Sequence, residues 1–392
     1  RGKHKIYVTS AVGHLFNLGE KHKQGWTYPV FEIEWKPSYE SLPDAKYIKD
    51  YIDTIAMLAK KADAFTIACD YDVEGEVIGW NVIRFVCQQK DANRMKFSTL
   101  TKPDLIAAYD EKRHHLDWGQ AYAGETRHKL DWFYGINLSR ALTASVKAAG
   151  SFKVMSAGRV QGPSLKILAD REEEIQKFVP TPFWELLLHA LHGKQDIEAE
   201  HANGKFTDEE KVKKILAKIK DEKKAIVKKV ERVKRLQAPP HPFDLTTLQT
   251  ESYNLFHITP KQTLDIAQHL YLAGVTSYPR TSSQQLDPKL GFNKIMADLS
   301  RQPAYEDLCK ELLRLPKLEP NNGKKTDPAH PAIFPTGVVP KTLRPQDKKI
   351  YDLIVKRFLA TFAQPAVRET MTLTLDVKGE DFLARGSRTL EE

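Results

Sequence analysis

An apolar run that ends in alternating acids constrains this chain more than any other stretch. Phe65-Thr66-Ile67-Ala68-Cys69 reads as a buried strand, and Asp70-Tyr71-Asp72-Val73-Glu74-Gly75-Glu76 follows it directly. Gly75 lets the chain turn sharply, and the apolar spacing from Val77 predicts a helix over 77–88. Strand, acid-bearing loop and helix in that order belong to an open α/β sheet, whose strand C-termini are the usual ligand edge. Asp70, Asp72 and Glu74 repel one another there unless a cation neutralises them, and Mg²⁺ is the hard, oxygen-seeking ion that fits. A solvated acidic turn is the alternative for these acids taken alone. An EF-hand is excluded, because its twelfth position would be Asn81 and a strand precedes the loop where a helix should.

The chain has 392 residues, enough for two to four domains. Sixty Lys and Arg against 51 Asp and Glu leave a net charge of +9, which fits a polyanionic partner but would also suit a ribosomal or membrane-surface protein. Cys69, Cys87 and Cys309 form no CxxC pair, which excludes a zinc ribbon within these residues and argues against a disulfide framework. No apolar run approaches the ~20 residues of a membrane span and no signal peptide opens the chain, so a cytoplasmic location is expected. No GxxxxGK[ST] loop is present, so ATP hydrolysis is not expected.

Along the chain, a strand at Lys5–Ser10, helical spacing from Ala45 to Ala62, the 65–69 strand and the 77–88 helix predict an α/β domain with a mostly parallel sheet. Helices are expected over 121–142 and 158–178, with a break at Ala148–Ser151. Pro180, Pro182 and Phe183-Trp184 mark a boundary, and 184–238 is mixed. There Val212, Ile215, Leu216 and Ile219 share one helix face. Residues 211–235 hold twelve Lys/Arg against three acids, a solvated basic face or a nucleic-acid contact. Pro239-Pro240-His241-Pro242 reads as a linker. Thr259, Pro260 and Gln262 then form a capping box with Pro at N1, Gly274 ends that helix, and Leu264, Ala267, Leu270 and Tyr271 face inward. Met371, Leu373, Leu375 and Val377 share one face of a late strand.

Pro279 stops any helix at Tyr278, so the tyrosine should sit on an extended segment with Arg280 on the same side. A phenol is a poor nucleophile at neutral pH, and a guanidinium beside it can hold a phosphate and favour the charged transition state. Taken alone, a Tyr before Pro is more often simple packing.

The motifs occur in order: the DxDxEGE run, Ser156-Ala157-Gly158-Arg159-Val160-Gln161, Ser277-Tyr278-Pro279-Arg280-Thr281, and Ala329-His330-Pro331-Ala332-Ile333-Phe334-Pro335-Thr336-Gly337. The series resembles the type IA DNA topoisomerases, in wording closest to archaeal topoisomerase I/III-like members. Thr9–Leu15 and Phe178–Trp184 are similar to that family as well, so the likeness covers nearly the whole chain.

The resemblance implies a multidomain α/β and α+β protein forming a torus. Its parts would be a Toprim domain at 1–115, part of a helical DNA-groove domain at 116–183, a β-rich arch at 184–238 and 366–392, and a helical Tyr-bearing domain at 239–365. It implies Mg²⁺ on Asp70, Asp72 and Glu74, attack by Tyr278 on a single-stranded DNA phosphodiester to give a 5′-phosphotyrosine, and assistance from Arg280 and His330. Ser156, Ala157, Gly158, Arg159, Val160 and Gln161 would touch the DNA backbone, Arg159 being otherwise a helix-start salt bridge. Arg127 and Asp131, four apart on a helix, would pair and position the strand, and His14 would approach the DNA. The implied activity is ATP-independent relaxation of negatively supercoiled DNA by a monomer with no membrane partner. The alternatives are the topoisomerase half of a reverse gyrase or an inactive single-stranded-DNA-binding fragment. The family's first Toprim strand, with its Glu and Lys, would precede Arg1, and its groove domain would return beyond Glu392, which implies a piece of something longer. Ser282 stands where many bacterial relatives have Asp.

Overall fold

The computed structural model describes residues 5–23 and 25–391. In chain order the elements are β1 (Phe16–Glu20), β2 (Ile33–Pro37), α1 (Ser38–Ser41), α2 (Ile48–Ala59), β3 (Thr66–Ile67), α3 (Val73–Asn81), β4 (Asn93–Arg94), α4 (Lys102–Asp110), α5 (Trp118–Phe133), α6 (Ser139–Ala148) and α7 (Gln161–Lys177). There follow β5 (Leu187–His192), β6 (Gln195–His201), α8 (Glu209–Ile219), β7 (Ile226–Gln237), α9 (Leu245–Phe256), α10 (Pro260–Leu272), α11 (Phe292–Leu299), α12 (Glu306–Leu312), α13 (Pro345–Ala360), β8 (Ala366–Val377) and β9 (Glu380–Glu391). The outer limits of the expected first and last domains, residues 1–4 and 392, lie outside the described residues.

The chain folds into two compact units. The first takes in the described residues through Glu173 together with Phe243–Asp287 and Lys324–Ile354. One of its cores joins Leu15, Phe16, Ile48, Ile55, Ile67, Ile83 and Leu116. Ile48 and Ile55 are buried two turns apart on α2, with Ile52 and Ala59 packed beside them, so helical spacing feeds this core directly. β3 pairs in parallel with β4, whereas β1 and β2 form an antiparallel ladder. The parallel sheet is thus only two residues deep, and Lys5–Ser10 forms no strand, being largely exposed coil. The expected 77–88 helix begins earlier, at Val73, and passes at Val82–Val86 into a π-helical turn. A capping box on Thr259 and Gln262 opens α10, and Gly274 beyond its end has φ of 74°. Ala267, Leu270 and Tyr271 are buried as the spacing requires, joined by Thr263 and Ile266.

The second unit takes in Glu174–Pro242, Pro288–Gly323 and the described residues from Val355. Its sheet runs β5-β6-β9-β8-β7, with every adjacent pair antiparallel. Leu375 and Val377 point from β8 into a core with Leu186, Ala199, Phe206, Val212 and Phe382. Val212, Ile215 and Ile219 of α8 pack on it, but Leu216 stays exposed. The basic segment 211–235 divides between α8 and β7: β7 is exposed along its whole length, and its charges suit an edge strand that must not pair with another chain. No helix among the described residues is long and apolar enough to cross a membrane.

Candidate active site

The first unit gathers segments far apart in sequence. Ser277 N donates to Phe334 O (2.9 Å), Phe334 N donates to Ser277 Oγ (3.0 Å), and Thr336 N donates to Val275 O (3.0 Å). These bonds hold the Tyr278 segment extended beside the segment that follows His330. Tyr278 N also donates to Ser98 O (2.8 Å), and Ser98 Oγ lies 2.9 Å from His330 Nδ1. His330 Nε2 reaches Tyr71 O at 3.1 Å, and the Tyr278 and His330 rings pack at a 41° tilt with centroids 4.5 Å apart. Ser282 bonds to Asp327, whose other oxygen accepts the backbone N–H groups of Ala329 and His330.

The acids divide into two groups. Asp72 caps α3, its Oδ1 accepting from Gly75 N at 2.7 Å, while its Oδ2 accepts the Tyr278 hydroxyl. Asp70 Oδ1 accepts the Tyr271 hydroxyl at 2.9 Å, and the Tyr271 and Tyr278 rings meet edge to face at 5.3 Å. Glu74 has different partners: Oε2 lies 2.9 Å from both His14 Nε2 and His128 Nε2, and Oε1 lies 3.3 Å from Arg127 Nη1. Gly75 does not serve a turn. It lies inside the first turn of α3, where an added Cβ would come within 2.1 Å of the Asp70 carbonyl oxygen.

The environments set the charges. Burial, with the Asp72 charge nearby, raises the Asp70 carboxyl above its ordinary range against the Tyr271 hydrogen bond. Hydrogen bonds from His128 and His14 hold Glu74 well below the usual carboxylate range. Burial and the hydrogen bond to Asp72 raise the Tyr278 phenol far above its normal value, so the hydroxyl stays protonated at 2 % exposure. Burial pushes the His330 imidazole down to about 4. Arg280 is exposed, and its charge acts on both Asp70 and Tyr278.

Arg127 and Asp131 come within 3.7 Å, but each has a nearer partner. Arg159 clasps Asp131 through Nε (2.7 Å) and Nη2 (3.3 Å), and Arg127 leans on Glu74. Arg159 is thus an ion-pair partner just before α7, with Ser156, Val160 and Gln161 exposed and Ala157 and Gly158 half-buried beside it. His14 sits on Glu74.

Several residues here escape sequence reasoning. Arg94 is fully buried: its Nε donates to Glu76 (2.6 Å), Nη1 to Cys69 O and Met95 O, and Nη2 to Asp70 O (2.7 Å). Glu76, equally buried, also accepts Asp117 N at 2.8 Å. A charge so enclosed persists because it is paired with Glu76 and each guanidinium nitrogen has an acceptor, and here it pins the backbone of the acidic loop. Arg94 stands in the mixed stretch Ala92-Asn93-Arg94-Met95-Lys96-Phe97, which carries no sequence signal of burial. Tyr271 read as plain core. His128 carried no signal apart from its place beside Arg127.

A sequence profile described as DNA topoisomerase matches residues 115–392, and one described as Toprim domain matches 1–100. The chain belongs to the type IA DNA topoisomerase family. It is 46 % identical over 395 residues to DNA topoisomerase 1 of Pyrococcus horikoshii, covering 99 % of this chain and 57 % of that protein. It is also 46 % identical to DNA topoisomerase 1 of Methanocaldococcus jannaschii, covering 99 % and 50 %. Full-length topoisomerase I of Thermotoga maritima superposes with a TM-score of 0.69 at 27 % identity, over 97 % of this chain and 61 % of that one. The chain therefore spans between half and about three-fifths of the length of these relatives. Its architecture is the multidomain α/β and α+β one of this family, and its Toprim domain is a metal-binding fold. The donors at Asp70 and Asp72 are carboxylate oxygens only, the donor type a hard divalent cation takes, and a cation there would offset the burial and the Asp72 charge that raise the Asp70 carboxyl. As arranged here, Glu74 is committed to its histidines instead.

Proposed function

We propose that this chain carries the cleavage and religation chemistry of a type IA topoisomerase, acting on a single-stranded segment of negatively supercoiled DNA without ATP. The observation that supports it best is the hydrogen bond from the Tyr278 hydroxyl to Asp72, 206 residues away. Tyr278 Oη gives up its proton, for which Asp72 is the acceptor at hand, and attacks the scissile phosphorus; one phosphoester bond forms as another breaks, and the 3′-oxygen leaves and takes up a proton. The phosphate then remains on Tyr278 through the DNA 5′ end, and return of the 3′-hydroxyl reverses the step. Because the new ester keeps the bond energy, no nucleotide is consumed.

Each role follows from position. Tyr278 is buried and bonded to Asp72, so the phosphodiester reaches it only once that contact opens. Arg280 is placed to hold the phosphate and oppose the charge that develops on it. His330, neutral and packed on the phenol, keeps the ring oriented. Asp70 and Asp72, with Glu74 once it leaves its histidines, would hold Mg²⁺, which when bound supplies charge that steadies the broken ends. Ser156 to Gln161, with Arg127, Asp131 and His14, would line the path of the backbone, Arg159 exchanging Asp131 for phosphate. We assign 1–115 to the Toprim domain, 116–183 to the DNA-groove domain, 184–238 and 366–392 to the arch, and 239–365 to the tyrosine domain. The protein is read as a cytoplasmic monomer.

The test is Tyr278→Phe. Supercoil relaxation with Mg²⁺ and the covalent DNA adduct on denaturing gels should both vanish, while single-strand affinity changes less than about threefold. An adduct that persists in this variant rejects the reading.

A further inference from the structure

We propose that His14, Glu74 and His128 form a second metal site, built for a borderline divalent cation such as Zn²⁺ and not for Mg²⁺. Both imidazoles present Nε2 to one carboxylate oxygen at 2.9 Å, and the three donor atoms lie within 4.8 Å of one another. Two nitrogens and one oxygen are the donor set that zinc and its neighbours prefer, whereas Mg²⁺ seeks oxygen alone. Zinc bonds of about 2.0 Å in a tetrahedron put the donors roughly 3.3 Å apart, so the two N···O contacts open by a few tenths of an ångström while the two nitrogens settle to the same spacing from within 4.8 Å.

The donors stand on a rigid frame. Glu74 lies in the first turn of α3 and His128 on α5. At Gly124 these helices approach so closely that a Cβ would meet Val77 Cγ2 at 2.5 Å. Trp35 packs on the His128 ring at 5.5 Å and is itself fixed by Glu125 through Nε1 (3.1 Å). Ser38 Oγ donates to His14 O at 3.1 Å. Arg127 occupies Glu74 Oε1 and leaves Oε2 to the cation. Side chains 25 %, 31 % and 27 % exposed leave an open side for a water as fourth ligand. The site excludes Tyr278 and Asp70 but shares Glu74 with the Mg²⁺ set proposed above. When occupied, it withholds Glu74 from the acid pair.

Calorimetric titration of the chain with Zn²⁺ under excess Mg²⁺ is the test. One tight equivalent should bind and survive Asp70→Asn, and it should weaken roughly tenfold or more in His14→Gln and in His128→Gln. X-ray absorption of the zinc-loaded, unmodified chain should show two imidazole nitrogens near 2.0 Å and no sulfur; this readout needs no variant to fold. Absence of a stoichiometric site, an affinity unchanged from the parent chain in either histidine variant, loss in Asp70→Asn, displacement by Mg²⁺ or a sulfur ligand would each overturn the proposal.

Discussion

His330 shows how far one side chain can be moved from its chemistry in water. Its imidazole is pushed down to about 4 by burial, while an unfolded chain would titrate it near ~6.5. Between those values the unfolded chain binds a proton that the folded site refuses. Its contribution to stability is therefore intact above about pH 6.5 and lost as pH falls toward about 4, by roughly 3 kcal/mol. Urea denaturation across that window should show stability rising with pH, and His330→Gln should flatten the slope; an unchanged slope would mean that another group sets it. Asp72 serves as helix cap and as acceptor for Tyr278 at once. For that reason neither the acidic-turn reading nor the metal-ligand reading of Asp72 exhausts its role.

The strand-to-helix connection at 66–81 is the element on which the site depends. Asp72 caps α3, Arg94 ties down the carbonyls of Cys69 and Asp70, and Gly75 lets α3 start against the Asp70 carbonyl. Gly75→Ala puts a methyl 2.1 Å from that oxygen, and the fixed backbone on both sides must shift. We expect a loss of about 1–3 kcal/mol in thermal or urea unfolding, with adduct formation falling further than stability does. Full activity in that variant would show that the acid loop tolerates displacement. Elements with local signals were legible: the capping box of α10, the apolar face of α2, the alternation on β8. The strand expected at Lys5–Ser10 was not, because apolar alternation makes a strand only where a neighbour pairs with it. The true length of β3 and the early start of α3 likewise depend on tertiary partners. Within the site, the motif residues could be found in sequence, but the division of the acids between tyrosines and histidines could not. It rests on His14, His128, Tyr271 and Arg94, which come together only on folding.

At the scale of the whole molecule, the first unit draws its site from residues 70–76, 98, 271–280 and 330, so that no single segment holds a complete set of groups. On the proposed reading, the net charge of +9 would supply the general attraction for a polyanion, and these few residues the chemistry. Two tyrosines lie side by side at the acids, each bonded to one of them, and only Tyr278 stands next to Arg280 and against His330. Peptide mapping of the covalent complex with an end-labelled single-stranded oligonucleotide discriminates between them. The account predicts one modified peptide, with Tyr278 joined to the 5′ phosphate. A 3′ linkage, an adduct on Tyr271, or no adduct in the presence of Mg²⁺ would contradict it.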